Sequence, residues 1–242
     1  MKTILEIENI TKRFGGLTAL RGVTIKIPEK RIIAVIGPNG AGKTTLFNII
    51  TGFMKPDEGK IIFKGIDITK YPPYKIAKLG ITRTFQIPKP FLDLTVRESI
   101  LTGAVSKYRN IDKAKAKTEE ILQFLGIDDL ADKYCSELNL SQTKIMELGR
   151  SLSIEPEVLL LDELVAGLNP KEVSEMSSKI RKINEEKGIT IILVEHIMRF
   201  VLKISDYIYV LHYGELISEG KPDELIKDEK VIQAYLGSQG KG

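Results

Sequence analysis

The chain has 242 residues, with 36 lysines and arginines, 32 aspartates and glutamates, and a formal net charge of +4. Its hydrophobic fraction of 43% excludes extensive disorder, its small charge does not indicate nucleic-acid binding, and no apolar run approaches the roughly 20 residues of a membrane-spanning helix. A single cysteine, Cys135, excludes a disulfide framework, and two histidines exclude a multi-histidine metal site, so we expect a cytoplasmic protein with a sizeable core.

The first 36 residues are predicted to form β-strands. Glu6 and Glu8 interrupt the apolar stretch that a signal peptide would need, and residues 23–27 alternate between apolar and polar side chains. Residues 32–36 are continuously apolar, which is typical of a strand buried on both faces. After this run, residues 43–50 are predicted to form a helix and residues 60–64 another strand.

The middle of the chain, from about residue 95 to residue 152, shows helical spacing and no convincing strand. Ile121, Leu122 and Leu125 follow the three- and four-residue period of a helix. Three lysines between residues 113 and 117 precede them, and two glutamates follow at once. We therefore interpret these lysines as a solvated helix face rather than a basic binding surface.

Strands and helices alternate again in the last third of the chain. Residues 158–161, 189–194 and 207–211 are predicted strands, and residues 171–186 form a predicted amphipathic helix that ends before Gly188. This alternation indicates an α/β fold with a mostly parallel sheet and helices on both of its faces. The helical middle of the chain is then an insertion into that core.

A glycine-rich loop follows the continuously apolar strand. Residues 37–44 read GPNGAGKT, which matches G-x-x-x-x-G-K-[ST] between a predicted strand and a predicted helix. Glycines let backbone N–H groups converge on phosphate oxygens, and the helix N-terminus adds partial positive charge. Lys43 is expected to reach the β- and γ-phosphates, and the Thr44 hydroxyl to bind Mg²⁺. The predicted nucleotide contacts of this loop are Gly37, Asn39, Gly40, Ala41, Gly42, Lys43, Thr44 and Thr45.

An acidic pair, Asp162 and Glu163, follows the apolar residues 159–161. A carboxylate at the end of a buried strand can hold Mg²⁺, so Asp162 is a predicted metal ligand. Glu163 is placed to orient or deprotonate a water molecule that faces the γ-phosphate. Alone, this pattern is typical of any strand end with charged turn residues, but together with the glycine-rich loop it predicts nucleotide hydrolysis.

The loop, the acidic pair and the residues between them resemble the ATP-binding subunits of ABC transporters, from about Leu5 to Leu236. The resemblance implies one ATPase domain over residues 1–242 with a phosphate-loop NTPase core and an N-terminal antiparallel β portion. The core would comprise residues 1–88 and 156–242, and residues 89–155 would form an inserted helical subdomain. ATP and Mg²⁺ are the implied cofactors.

Three further side chains acquire roles from the resemblance. Phe14 stands where the family stacks an aromatic ring on adenine, and the alternative is a core or strand-end aromatic. Gln86 matches a glutamine that touches Mg²⁺ or the attacking water and hinges the helical subdomain. His196 matches a histidine that contacts the γ-phosphate. The implied catalytic residues are therefore Glu163, His196 and Gln86, and the implied metal ligands are Thr44, Gln86 and Asp162.

The family's signature motif, LSGGQ, is altered in this chain. Residues 138–142 read LNLSQ, so Asn139 replaces the serine, and Leu140 and Ser141 replace the two glycines. In the family this segment presents a helix N-terminus to ATP held by another subunit, which makes Asn139, Ser141 and Gln142 the implied contacts. Asparagine caps a helix well, whereas side chains in place of glycine crowd a close approach, so the hydrolysis rate is in question.

Three smaller motifs resemble the branched-chain amino acid transporter subgroup. They are RTFQ at residues 83–86, GLNP at residues 167–170 and the ending at residues 232–237. Leu164 and Asn169 stand where the wider family has a proline and an aspartate. The three motifs imply an ATP-binding and hydrolysing subunit that powers the import of branched-chain amino acids or a related solute, although none of these motifs touches the solute.

The resemblance also implies partners. One phosphate loop leaves the γ-phosphate open on one side, so an ATP-dependent dimer is expected, with a second copy or a related ATPase subunit. Membrane-embedded permease subunits, an extracytoplasmic solute-binding protein acting indirectly, and a place on the inner face of the membrane are implied, with no nucleic-acid partner. The permease contact is expected near Gln86 and residues 87–91, where Phe91 is either part of that contact or simply buried.

Other functions stay open at this point. The altered signature is compatible with a regulatory or non-transport ABC ATPase that hydrolyses weakly. An ABC ATPase acting on nucleic acid or ribosomes is disfavoured by the single cassette and by the lack of a basic stripe. A plain phosphate-loop kinase would not need the Gln86 and His196 motifs.

Overall fold

The computed structural model describes residues 2–236. Residues 237–242, including Gly237 of the predicted ending motif, lie outside the described part. In chain order the elements are β1 (Thr3–Phe14), β2 (Leu17–Pro28), β3 (Ile32–Ile36), α1 (Lys43–Ile50), β4 (Glu58–Phe63), β5 (Ile66–Asp67), α2 (Pro73–Leu79), β6 (Ile81–Arg83), α3 (Val96–Lys107), α4 (Ile111–Leu125), α5 (Leu140–Leu152), β7 (Val158–Asp162), α6 (Pro170–Lys187), β8 (Thr190–Val194), α7 (Met198–Ile204), β9 (Tyr207–His212), β10 (Glu215–Gly220), α8 (Pro222–Leu225) and α9 (Glu229–Leu236).

A four-stranded antiparallel sheet is built mainly from the N-terminal part of the chain, in the order β2-β1-β4-β5. The first two strands are joined through Gly15, which adopts φ +55, and Gly16. A tight turn of two residues favours glycine because it requires positive φ, and it brings β1 and β2 together as a hairpin. The predicted N-terminal antiparallel portion is confirmed.

The second sheet has six strands in the order β10-β9-β3-β8-β7-β6. All neighbouring pairs from β9 to β6 are parallel, and only β10 is antiparallel to its neighbour. The predicted mostly parallel sheet is therefore confirmed. Because parallel strands end at the same edge, the loops after β3, β6, β7 and β8 meet at one edge of this sheet.

Side chains on the two faces of the second sheet belong to two separate hydrophobic clusters. In β3, Ile32, Ala34 and Ile36 join the cluster that contains the helical side of the molecule, whereas Ile33 and Val35 join the cluster of the first sheet and α1. Successive side chains of a strand point to opposite faces, so burial on both sides requires a continuous apolar run. This explains the sequence pattern at residues 32–36.

Between β6 and β7 the chain forms α3, α4 and α5, which pack on one another. Gly103 of α3 permits the closest approach, because a Cβ there would lie 2.5 Å from the carbonyl oxygen of Arg150 in α5. The expected helical insertion is present.

The bounds of β3 and α1 match the predictions, whereas those of β4, β7, β8, β9 and α6 differ by one or two residues. The predicted strand at residues 60–64 runs from Glu58 to Phe63, and the predicted helix at residues 171–186 begins at Pro170 and ends at Lys187. The short elements β5, β6, α2, α7 and α8, and also β10 and α9, were not predicted. No helix within residues 2–236 has the length and apolar character required to cross a membrane.

Candidate functional site

The loop between β3 and α1 requires glycine at two positions. A Cβ at Gly37 would lie 2.0 Å from the carbonyl oxygen of Leu211, and one at Gly42 would lie 2.7 Å from that of Ala19, at a φ of +103. Among the described residues, 2–236, no side chain caps the N-terminus of α1. Its first backbone N–H groups are therefore left for another acceptor, and a phosphate group fits this geometry.

Lys43 lies inside this loop rather than in solvent. Its side-chain Nζ donates hydrogen bonds to the carbonyl oxygens of Gly37, at 2.7 Å, and Pro38, at 2.9 Å. Burial lowers the pKa of the Lys43 ammonium, while the nearby carboxylates of Glu163 and Asp162 act in the opposite direction. The loop thus holds a cation close to the acidic pair.

The remaining predicted loop residues are mostly accessible from outside. Asn39, Gly40 and Thr44 are exposed, Thr45 is half-buried, and Ala41 is buried. Exposure leaves these groups open to a bound nucleotide, whereas buried Ala41 supports the fold of the loop.

Asp162 ends β7 with its carboxylate almost fully buried. Its Oδ2 atom accepts a hydrogen bond of 2.8 Å from Nη2 of Arg83, and Nη1 of Arg83 donates to Asn48 at 2.8 Å. Burial raises the pKa of Asp162, and the guanidinium of Arg83 opposes that rise. Its second oxygen, Oδ1, has no hydrogen-bond partner within residues 2–236. A buried carboxylate oxygen without a partner is costly, and a cation or its bound water is the group that fits it.

Glu163 is held from both sides by the two other implied catalytic residues. Its Oε2 atom accepts a hydrogen bond of 2.8 Å from Nε2 of Gln86, and its Oε1 atom lies at hydrogen-bond distance, 2.8 Å, from Nε2 of His196. The strand order explains this arrangement, since β7 lies between β6, which precedes Gln86, and β8, which precedes His196. Three residues far apart in sequence therefore meet at one carboxylate.

The backbone of Glu163 is unusual, with φ at +49. Its N–H donates to the carbonyl oxygen of Val194 at 2.9 Å. Left-handed backbone is uncommon for a residue with a side chain, and it persists where surrounding contacts enforce it. The turn after β7 is therefore held by its neighbours rather than by local preference.

Phe14 lies at the end of β1, and its side chain is 45% exposed. Phe14 is therefore not a core aromatic, but it does stand at a strand end, as the other part of that alternative has it. The neighbouring strand β2 passes next to the phosphate loop, because the carbonyl oxygen of Ala19 adjoins Gly42. An exposed ring on this hairpin is compatible with the expected stacking on a base.

The signature segment forms the beginning of α5 as expected. Asn139 is the N-cap residue, its Oδ1 atom accepts from the N–H of Gln142 at 2.9 Å, and Oε1 of Gln142 accepts from the N–H of Asn139 at 3.1 Å. This reciprocal capping box confirms that asparagine caps the helix. Leu140 is half exposed in the first turn, next to Ser141. Within residues 2–236, no hydrogen bond joins this segment to the phosphate loop.

The region after Gln86 borders a groove of about 570 Å³. Phe91 is half exposed on this groove, and the guanidinium of Arg150 lies 5.1 Å from its ring centre. The alternative of simple burial for Phe91 is therefore wrong. The aromatic residues that line the groove are Phe53, Tyr74, Phe85 and Phe91.

Three buried charged side chains near the site were not identified from the sequence. Arg83 pairs with Asp162, and Lys144 and Glu195 contact the turn that follows β7. None of them belongs to a local spacing pattern that predicts contact with this turn. Their partners depend on the order of the strands and on the packing of α5.

Residues 20–166 match the family described as ABC transporter. Residues 215–241 match a second family, described as branched-chain amino acid ATP-binding cassette transporter, although this match runs beyond the described residues. The first match covers the phosphate loop, Gln86, the signature segment and the acidic pair.

Two relatives are similar over almost their whole length. The probable branched-chain amino acid transport ATP-binding protein LivG of Archaeoglobus fulgidus is 39% identical, covering 98% of this chain and 96% of its own. The high-affinity branched-chain amino acid transport ATP-binding protein BraF of Pseudomonas aeruginosa is 36% identical, covering 98% of both chains.

Solved structures support the fold. The ADP conformation of an ATP-binding cassette of an ABC transporter has a TM-score of 0.89 and 36% identity over 98% of this chain and 100% of that one. A dimeric bacterial ABC transporter cassette has a TM-score of 0.80 and 25% identity over 90% and 99%. The predicted α/β phosphate-loop fold class is confirmed.

Proposed function

The chain belongs to the ABC transporter family, and from that premise we propose that it powers the import of branched-chain amino acids. It is a nucleotide-binding ATPase of that family. The named function of both relatives and the match at residues 215–241 support the solute class. The motifs at residues 83–86 and 167–170 point to the same subgroup.

The observation that carries the proposed mechanism is the Glu163 carboxylate between Gln86 and His196. In this arrangement Glu163 orients the attacking water and accepts its proton, while His196 contacts the γ-phosphate. Lys43 neutralises negative charge that develops on the transferred phosphoryl group. The hydrogen bonds from Gln86 and His196 fix the direction of the carboxylate before a nucleotide arrives.

Besides ATP, the proposed cofactor is Mg²⁺, which fits the oxygen donors of this site. The unpartnered Oδ1 of Asp162 and the exposed hydroxyl-bearing Thr44 at the start of α1 would hold it, together with Gln86. When bound, Mg²⁺ neutralises charge on the β- and γ-phosphates. Arg83 fixes the orientation of the Asp162 carboxylate through the other oxygen.

An ATP-dependent dimer completes the proposed site. The signature segment of α5 makes no hydrogen bond to the phosphate loop of its own chain within residues 2–236, and it offers a capped helix N-terminus to another molecule. A structurally similar cassette is dimeric. Asn139, Ser141 and Gln142 would face the γ-phosphate bound to the phosphate loop of the second subunit.

The membrane partners follow from the same proposal. The chain would dock on permease subunits at the inner face of the membrane, through the groove beside Phe91, and act indirectly on a solute-binding protein. The aromatic lining of the groove suits a short apolar segment of a partner. Residues 89–155 would move as the helical subdomain against the core of residues 1–88 and 156–242, and no nucleic acid would take part.

Replacement of Glu163 by glutamine tests the chemistry. Glu163→Gln keeps the size of the side chain and one acceptor oxygen but removes the base, so we expect steady-state ATP hydrolysis to fall at least about 100-fold while ATP-driven dimers persist. Phosphate release and size-exclusion chromatography with ATP measure the two effects. Glu186→Gln, at an exposed position of α6, is the matched control. Hydrolysis by Glu163→Gln at the wild-type rate would remove Glu163 as the base.

The solute class needs a separate measurement. The chain is co-reconstituted with its permease subunits and a solute-binding protein in vesicles, and ATP-dependent uptake of leucine is compared with uptake of lysine. We expect uptake of leucine only. Robust hydrolysis that neither solute stimulates would contradict the proposed solute and leave the ATPase assignment intact.

A further inference from the structure

Lys144 is a buried cation on α5, the helix that begins with the signature segment. Its side-chain Nζ donates to the carbonyl oxygens of Ala166, at 2.7 Å, and Glu163, at 3.1 Å. The residue is 4% exposed. A buried ammonium is stable only where acceptors surround it, and here the acceptors are two carbonyls of the turn after β7.

Glu195 holds the same turn through a different atom. It follows β8 directly, it is 1% exposed, and its Oε1 atom accepts a hydrogen bond of 2.9 Å from the N–H of Val165. Burial raises the pKa of Glu195 to about 7, while Lys144 lowers it. The next residue in the chain is His196, which contacts the Glu163 carboxylate.

All of these hydrogen bonds from Lys144 and Glu195 are made to the backbone of one short segment, residues 163–166. Its first residue, Glu163, has left-handed backbone, and the N–H of Ala166 donates to the carbonyl oxygen of Glu163 at 3.2 Å. The carbonyls of both end residues bind Lys144, and the N–H of Val165 binds Glu195. Two buried side chains from different elements thus hydrogen-bond the turn that contains this uncommon backbone conformation.

We propose that Lys144 and Glu195 are positioning residues that fix the turn at residues 163–166 and thereby aim the Glu163 carboxylate at water. The proposal rests on the proposed role of Glu163 in hydrolysis. Both side chains are buried and bond the backbone of residues 163–166, so their effect on the reaction is expected to pass through this turn. Since Lys144 belongs to α5, the helix proposed to face the second ATP is joined to the backbone of the catalytic Glu163 of its own chain.

The test compares variants that keep or remove the hydrogen bonds. Lys144→Met removes the donor, Lys144→Arg keeps one, and Lys115→Met on the exposed face of α4 is the matched control. We expect Lys144→Met to lower kcat for ATP at least about tenfold with KM changed less than about threefold, since small misplacements of a catalytic group cost rate rather than binding. Lys144→Arg should recover most of the loss, and Lys115→Met should match the wild type.

A second pair of variants probes the other side of the turn. Glu195→Met removes the acceptor for the N–H of Val165, whereas Glu195→Gln keeps it. We expect Glu195→Met to lower kcat and Glu195→Gln to restore it. If Lys144→Met does not fold, the comparison of these two Glu195 variants tests the proposal instead. Folding of each variant is followed by its Tm.

The outcomes separate this proposal from the proposed function. If both methionine variants fold and keep kcat within about twofold of the wild type, the positioning role is overturned. If kcat and KM change together and neither conservative variant recovers them, the two residues support only the fold. Normal hydrolysis by Glu163→Gln would instead overturn the mechanism on which this proposal rests.

Discussion

The phosphate loop and the signature segment both end in a helix N-terminus, but the two helix ends are satisfied differently. In the part of the chain that the structure describes, no side chain caps α1, and Gly37 and Gly42 let the backbone come close to its neighbours. In contrast, Asn139 and Gln142 close the start of α5 with a reciprocal capping box. The loop is therefore incomplete without a ligand, whereas the signature helix is complete by itself and presents a preformed surface to another molecule.

Among the variants that test this difference between the two helix ends, the one at Lys43 is expected to have the largest effect. Lys43→Ala removes the cation that the loop holds by two hydrogen bonds, and we expect ATP affinity to fall at least about 100-fold. Calorimetric titration with ATP measures the change, and Lys55→Ala at an exposed position is the control. Unchanged affinity would contradict the assignment of the phosphate loop.

A smaller but still large effect concerns the glycines of the loop. Gly42→Ala places a Cβ 2.7 Å from the carbonyl oxygen of Ala19 at a φ of +103, whereas Gly40→Ala meets open space at a φ of +78. We expect Gly42→Ala to lower the free energy of unfolding by about 3 kcal/mol and Gly40→Ala by about 1 kcal/mol. Urea unfolding measures both variants. Equal losses would show that the cost of positive φ, rather than the close approach of a Cβ to Ala19, is the reason that the loop requires glycine.

The stability of the chain should depend on pH through Glu195, which bonds the turn at residues 163–166. The folded protein raises the pKa of Glu195 from 4.5 to about 7, so stability from this group is present below pH 4.5 and is lost as pH rises through 7. One pKa unit corresponds to about 1.4 kcal/mol, so the shift from 4.5 to about 7 sets an upper limit of about 3.5 kcal/mol for the loss. Urea unfolding of the wild type and Glu195→Gln across this pH range measures it, and parallel curves would contradict the prediction.

The smallest effect is expected at the tip of the signature helix. Asn139→Ala removes the cap, so we expect the free energy of unfolding to fall by about 1 kcal/mol while ATP still binds to the chain's own loop. Asn139→Ser keeps a capping oxygen and should recover the stability. Urea unfolding and ATP titration measure both quantities. Loss of ATP affinity in the isolated chain upon Asn139→Ala would contradict the separation of the two helix ends.

Local patterns predicted the parts of this molecule that depend on neighbouring residues. The apolar run at residues 32–36, the glycine-rich loop and the acidic pair lie within single stretches, and the structure places them as the sequence indicated. The predicted strand alternation also led to the parallel sheet. The roles of Gln86 and His196 came from resemblance, and their contact with Glu163 is explained by the strand order.

Other parts depend on contacts between distant residues. No local pattern predicted a role for Arg83, because its contact is an ion pair with the buried carboxylate of Asp162 on the adjacent strand. Lys144 belongs to a helical pattern that is compatible with a solvated side chain, yet packing buries it. Phe91 could not be assigned to the surface from a local pattern, since its exposure depends on how the helical region sits against β6. Short elements such as β5 and α8 carry too few residues for a periodic pattern.

The hydrogen bonds from Lys43 to the carbonyls of Gly37 and Pro38 have a consequence for nucleotide exchange. A loop that lost its shape upon product release would need to refold before each new ATP, which would slow the cycle. Here the Lys43 ammonium links the start of the loop to the start of α1 through these two hydrogen bonds. A phosphate that binds Lys43 would then exchange hydrogen bonds with these two carbonyls, without a need to rebuild the backbone.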